Sequence, residues 1–484
     1  SRLLLDGDTG WHIRVGEWIL QHRQIPSTDF LSFTMPGQPW FAWEWLSEAG
    51  FGILMQTWGL KGVVWWSALL FMAFAGILFR HLTWRGAHLF VALPLILLAT
   101  GVGTAHLLAR PHLYTLVFLP LYLWAADADL RRPSRWIWGL VPLTVLWTNL
   151  HGGWLGGVAS LFVLSAGLGA EAWLGTRSWA AARRFALLAG ACLAASLINP
   201  FGWKLHFHVA GFMRSDWIKE VVQEFQSPIF RGETMMQYEV LLVAGVIGSA
   251  FLLRRRRVAE PLLVLFWAHQ SLVSVRHAPL YAIVALPMLA VLLMELWDRW
   301  TVAAPRKSIP AILRSLARDC QPAIRRTSLW VPLVVVAVLA PAVPAPWPES
   351  FPKEKFPVAL ASEYRDLLVG KRTFTNDDWA DYLLFANYPG QRVFFDGRSD
   401  FYGKKLGDDY LHLIKGSYQW QEIIDRHGIE VVLLGPETGL ASLLKIHPDW
   451  RVLRDTGQEV LFERRPAPGK SRSGPLMEMS RPAE

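Results

Sequence analysis

The sequence predicts a polytopic α-helical membrane protein that ends in a small external α/β domain. Three observations predict it. Of 484 residues, 52% are hydrophobic and only 18% charged, whereas soluble domains carry roughly a quarter charged residues. The apolar residues fall in long runs, many near the ~20 residues that a spanning helix needs. The basic residues fall in every second gap between those runs, as positive cytoplasmic loops require. The 26 tryptophans agree, because Trp concentrates where membrane meets water.

Apolar runs lie near 60–79, 89–108, 112–126, 136–150, 153–175, 184–199, 237–253, 258–273, 278–297 and 328–344. They give about ten spans in the region 60–344. Arg80 and Arg85 follow the first run, Arg131, Arg132 and Arg135 the third, Arg177, Arg183 and Arg184 the fifth. Arg254 to Arg257 follow the seventh, and a basic segment from Arg299 to Arg326 follows the ninth. A wrong number of spans would break this alternation. Parity then places residues 1–59, the turns near 109–111, 151–152 and 274–277, the loop 200–236 and everything after 345 on the external face. An external start calls for an anchor, so one further span is expected before Ser1, about eleven in all.

The net charge of +9 comes from these punctuating loops, which excludes nucleic acid as the reason for it. The two cysteines, Cys192 in an apolar run and Cys320 in a basic loop, suit neither a disulfide nor a cysteine metal site. Residues 345–466 change character after a proline-rich linker. Short β-like runs (373–375, 392–395, 430–434, 460–463) alternate with helical stretches (358–369, 378–387, 418–427, 438–446), which predicts a small α/β domain with a partly parallel sheet. The tail 467–484 has a disordered composition.

The opening segment, 1–59, holds the densest chemistry. Trp11, Val15, Trp18 and Ile19 recur at helical spacing over 9–22, and 41–58 is a second, aromatic-rich helix; both patterns suit the membrane interface. Asp6 and Asp8 stand just before the first of them, and His12, Arg14 and Glu17 lie within it. Asp8 and His12 are four residues apart and share a face. An interfacial carboxylate can accept a proton from an acceptor hydroxyl, or can coordinate a metal. It can also simply cap the helix that begins at Thr9.

Asp8-x-x-Trp11-His12-x-Arg14, followed by Ile25-Pro26-x-Thr28-Asp29, resembles the first external loop of GT-C fold glycosyltransferases. The likeness is nearest to oligosaccharyltransferase catalytic subunits, with protein mannosyltransferases and lipid A aminoarabinose transferases further off. It implies a GT-C-like bundle and an essential aspartate in this loop, at Asp8 with Asp6 as second choice. It also implies a polyprenyl-phosphate-linked sugar donor and a glycan, lipid or protein acceptor. The sequence departs from that family in two places. The turn Ala109-Arg110-Pro111-His112 is basic where later acidic metal ligands are expected, and Glu224 is the one later acidic candidate. The cofactor is therefore left unassigned, since a divalent cation (Mg or Mn) has no clear second acidic ligand. Asp377-Asp378-Trp379-Ala380-Asp381-Tyr382 is a loose counterpart of the family's Trp-Trp-Asp motif and lacks the paired tryptophans, so peptide specificity is not carried over.

Further polar groups stand at the external ends of the spans: Arg110 and His112, Asn149 and His151, Arg276 and His277. Singly, each can snorkel to the interface. Ionisable groups at membrane depth are otherwise functional by default, and together they suit a lipid phosphate. With Arg14, Glu17 and Glu224 they form the substrate-binding set, beside Asp8, Asp6 and His12 as the catalytic set. His206 and His208 are a weak metal pair. Asp396 and Arg398 suit either a sugar site or a structural salt bridge.

The expectation is an inverting transferase in a bacterial or archaeal cytoplasmic membrane, with its site and C-terminal domain outside. A glycan ligase or polymerase of the same fold is one alternative. A transporter or flippase would show repeats and midplane polar groups, and a non-catalytic scaffold leaves the loop cluster unexplained.

Overall fold

A computed structural model describes residues 2–305, 307–326 and 347–466. The expected run at 328–344 and the tail 467–484 lie outside these residues. The described residues form two compact units. The first takes in everything up to Asp29, then Gly37–Phe356 and Ser399–Phe401; the second takes in Phe30–Pro36, Pro357–Arg398 and the chain from Tyr402.

The first unit is helical. It begins with α1 (Asp8–His22) and α2 (Trp45–Trp58), close to the two helices expected from periodicity. Trp11, Val15 and Ile19 are buried, as their spacing predicts. The helix α1 stops at Arg23, which adopts a left-handed φ of 53°. The crossing of α1 and α2 is glycine-dependent. A Cβ built on Gly16 would lie 1.8 Å from the carbonyl oxygen of Glu48, and one on Gly52 would lie 2.6 Å from the backbone of Gly16.

The bundle follows as α3 (Leu60–Trp84), α4 (Leu89–Gly103), α5 (Leu113–Arg131), α6 (Leu140–Leu150), α7 (Trp154–Trp173), α8 (Trp179–Ala195), α9 (Trp203–Arg214), α10 (Asp216–Val221), α11 (Glu233–Arg254), α12 (Ala259–Val273), α13 (Ala278–Val302) and α14 (Ile309–Arg326). Every expected apolar run within the described residues is helical. Among the described residues five segments are long and apolar enough to cross a membrane: Leu60–Trp84, Leu113–Arg131, Trp154–Trp173, Met235–Arg254 and Val275–Val302. That is fewer than the ten expected, because several runs are cut short. The helix α4 ends at Gly103 in a 3-10 turn, and α6 is preceded by a 3-10 turn over Arg135–Gly139. The basic segment read as a loop contains α14 instead. Buried aromatic and aliphatic side chains such as Phe74, Tyr122, Trp147, Trp154 and Tyr281 form the core.

The second unit carries α15 (Val358–Glu363), α16 (Arg365–Gly370), β1 (Thr373–Phe374), α17 (Asp377–Asn387), α18 (Ser399–Lys415, broken at Gly403), α19 (Trp420–His427), β2 (Val431–Leu434), α20 (Gly439–Ile446), β3 (Trp450–Asp455) and β4 (Val460–Arg464). The strand order is β1-β2-β4-β3, with β1 and β2 parallel and the other pairs antiparallel. The partly parallel sheet is as expected, but its membership is not. Arg392–Phe395 is no strand of this sheet; Val393 bridges to Ser32, with the Val393 N–H donating to the Leu31 carbonyl at 3.1 Å. Its place is taken by β3, whose exposed residues are mostly polar and which pairs along β4.

Candidate active site

The opening stretch is built around Arg110. The Thr9 hydroxyl donates to the Ala109 carbonyl at 3.0 Å, and the Ala109 N–H donates to the Leu3 carbonyl at 2.8 Å. These bonds fasten the 109–111 turn to the start of α1. Arg110 Nη2 then lies 2.6 Å from Asp8 Oδ2, and Nη1 lies 3.0 Å from Asp6 Oδ2. The other Asp6 oxygen accepts the Asp8 N–H at 2.9 Å. The capping bond therefore comes from Asp6, and Asp8 is the first residue of α1 rather than its cap. Asp8 is 8% exposed, so its carboxylate meets a guanidinium at the edge of the protein interior. Burial works against the Arg110 charge, but Asp6 and Asp8 outweigh it and hold the group protonated.

One turn into α1, His12 is buried. Its Nδ1 lies 3.3 Å from Glu48 Oε1 and its Nε2 lies 3.7 Å from Glu44 Oε2. The glycine crossing causes this meeting: Gly16 and Gly52 let the backbones touch, and one turn back on each helix His12 and Glu48 face each other. Glu44 also lies 3.4 Å from His151 Nε2. The tautomer of His151 follows from its other nitrogen. The Gly153 N–H donates to Nδ1 at 3.0 Å, and the Thr115 hydroxyl, itself accepting from Trp147 Nε1 at 3.1 Å, meets Nδ1 at 2.7 Å. The proton of His151 is thus on Nε2, facing Glu44. Burial pushes the Glu44 carboxyl up to about 8, against the pull of Arg110. Burial, with Arg276 and Arg110 nearby, brings His151 down to about 3. His12 is also held well below its usual range, first by burial and then by Arg110. These shifts favour the uncharged forms of Glu44, His151 and His12.

A second ion pair stands beside this cluster. Arg276 Nη1 lies 3.4 Å from Glu224 Oε1, and its guanidinium lies 4.4 Å from the centre of the Phe225 ring. Burial would raise the Glu224 pKa, but Arg276 and Arg110 outweigh it and bring it down to about 2.

Other expected residues are committed elsewhere. Arg14 pairs with Glu17 one turn along α1. The Asn149 amide donates to the Val145 and Ile198 carbonyls and its oxygen accepts from Trp45 Nε1 at 2.8 Å, so it anchors α2 to α6. His112 Nε2 donates to the His106 carbonyl at 2.8 Å, and His277 Nδ1 donates to the Gln270 carbonyl at 3.2 Å. His206 bonds Ser196 while His208 bonds Asp400 at 2.8 Å, so the two rings serve different partners. In the second unit Asp396 and Arg398 form a fully buried bidentate pair joined by Tyr402, a structural bridge in place of a sugar site. Glu44 and Glu48 were missed. Their signal was two carboxylates four residues apart inside an aromatic-rich helix.

The donor set suits ion pairs better than a cation. Asp6 and Asp8 share Arg110, and Glu224 is taken by Arg276. Among the described residues no group of three or more His, Cys, Asp or Glu side chains converges as a metal site.

The fold resembles that of an archaeal oligosaccharyltransferase. The solved structure is AglB from Archaeoglobus fulgidus, in complex with an inhibitory peptide and a dolichol-phosphate. The match covers 98% of this chain and 71% of that one, with a TM-score of 0.50 and 13% identity. The similarity is one of fold, and it agrees with the GT-C likeness carried by Asp8, Trp11, His12 and Arg14. No family model matches the sequence, and no curated protein matches it.

Proposed function

We propose that this chain is a membrane glycosyltransferase that moves a sugar from a polyprenyl-phosphate-linked donor to an acceptor outside the cytoplasmic membrane. The observation that carries the reading is the ion pair between buried Asp8, at the first turn of α1, and partly buried Arg110, within a fold like that of AglB. The dolichol-phosphate held by that neighbour supports a lipid phosphate as the leaving group.

In this reading Asp8 accepts a hydrogen bond from the acceptor nucleophile and orients it for in-line attack at the anomeric carbon. The arginine beside it orients that carboxylate and leaves it lone pairs for a further hydrogen bond. The bond from the anomeric carbon to the phosphate oxygen breaks as the new glycosidic bond forms, inverting the centre, and the nucleophile's proton passes to Asp8 while the phosphate leaves as its anion. Arg276 and Arg110 are positioned to stabilise the departing phosphate, as preorganised charge does. The Glu44–His151–His12 cluster holds α2 against α1.

The test is reconstitution in liposomes with radiolabelled polyprenyl-phosphate sugars and, separately, nucleotide sugars. Release of polyprenyl phosphate and labelling of an acceptor from the lipid donor is expected. Transfer from the nucleotide sugar alone would overturn the donor assignment.

A further inference from the structure

A second polar centre lies at the other ends of the same helices. The candidate active site occupies the start of α5 and α7 and the end of α12. From Leu113 to Asp127, α5 rises about 21 Å at ~1.5 Å per residue. There a cavity of about 360 Å³ opens between α3, α5, α7, α12 and α13, within the ~300–1,000 Å³ of pockets that hold small ligands.

We infer that this cavity binds an anionic phospholipid, with an acyl chain along its apolar wall and the phosphate at an arginine rim. The wall is aliphatic, formed by residues such as Leu123, Leu164, Leu168, Leu263 and Met288, and the rim carries Arg85, Arg131, Arg177 and Arg257. Three carboxylates share that rim, and each is already engaged more than once. Asp127 meets His81 Nε2 at 3.0 Å and Arg85 Nε at 2.9 Å. Glu260 meets Arg85 and Arg257. Glu171 meets Arg177 at 3.0 Å and accepts the Val258 and Ala259 N–H groups. The arginines have capacity left, since each carries five N–H donors. Among the described residues Arg131 meets a carboxylate at 3.8 Å, beyond hydrogen-bond reach, and its guanidinium lies over the Trp84 ring at 4.2 Å. Among the described residues the buried Nδ1 of His81, on the same cavity and 1% exposed, has no hydrogen-bond partner. With Nε2 given to Asp127, that nitrogen suits a headgroup hydroxyl. Trp136, Trp173 and Trp179 are exposed at this end, where headgroups would lie.

The inference stands apart from sugar transfer, because its readout is binding. The delipidated full chain in a neutral detergent is melted with phosphatidylglycerol, with phosphatidylcholine, or with inorganic phosphate. Phosphatidylglycerol alone should raise Tm by a few degrees. The half-exposed pair R131Q/R257Q should lose that shift, whereas R254Q/R256Q, equal in charge but outside the cavity, should keep it. An equal shift from phosphatidylcholine or from inorganic phosphate overturns the proposal, as does equal loss in both double variants.

Discussion

At the scale of residues, Glu44 concentrates the unusual chemistry. Its carboxyl is raised to about 8 by burial, so it binds more protons folded than unfolded. Stability from that proton is fully present below the ordinary glutamate range, near pH 4.5, and is lost as pH rises towards 8. Glu44→Gln keeps the neutral shape and removes the titration. Between pH 5 and 9 the Tm of the variant should fall less steeply than that of the wild type in the same detergent; parallel curves would contradict the assignment. Asp8 and Arg110 were each legible in the sequence, one from its cluster and one from a cation on a short external turn. Their partnership was not, because it joins positions a hundred residues apart through the turn that Leu3 and Thr9 fasten. Glu44 was hidden for a different reason: amid Phe41, Trp43 and Trp45 it looks like the polar edge of an interfacial helix.

At the scale of elements, the crossing of α1 and α2 sets the site. Overpacking costs about 1–3 kcal/mol, more where backbone must move, and a methyl on Gly16 would meet the Glu48 carbonyl. Gly16→Ala should therefore lower Tm by several degrees and separate His12 from Glu48. An unchanged Tm would show that the helices do not touch there. Hydrophobic periodicity made both helices legible to within a few residues, but it says nothing of which small residues let two helices approach. The sheet shows the same limit. Val431–Leu434 and Val460–Arg464 were readable as buried apolar runs, while β3 presents Arg451, Arg454 and Asp455 outward and carries no run. The segment Arg392–Phe395 has strand composition, yet its backbone bonds go to residues 31–33.

At the scale of the whole molecule, the account depends on which face carries the site. Alternating basic loops predict the opening segment outside and the segment around α14 inside. In intact cells, a cysteine at the exposed position of Gln38 (Gln38→Cys, with Cys192 and Cys320 changed to Ala) should react with a membrane-impermeant maleimide. Native Cys320 in a Cys192→Ala background should react only after permeabilisation. The reverse pattern would invert the topology. The apolar runs were legible because hydrocarbon burial leaves a mark in composition. Their lengths were less so, since local 3-10 turns and early helix ends leave five segments long enough to cross among the described residues.

The most direct test of the central claim is transfer by Asp8→Asn in the liposome assay, beside Asp6→Asn as a neighbour that shares Arg110. If Asp8 orients the attacking group, its loss should lower turnover by roughly 10²–10⁴-fold with Tm little changed, and Asp6→Asn should cost less. Wild-type transfer by Asp8→Asn would contradict the account.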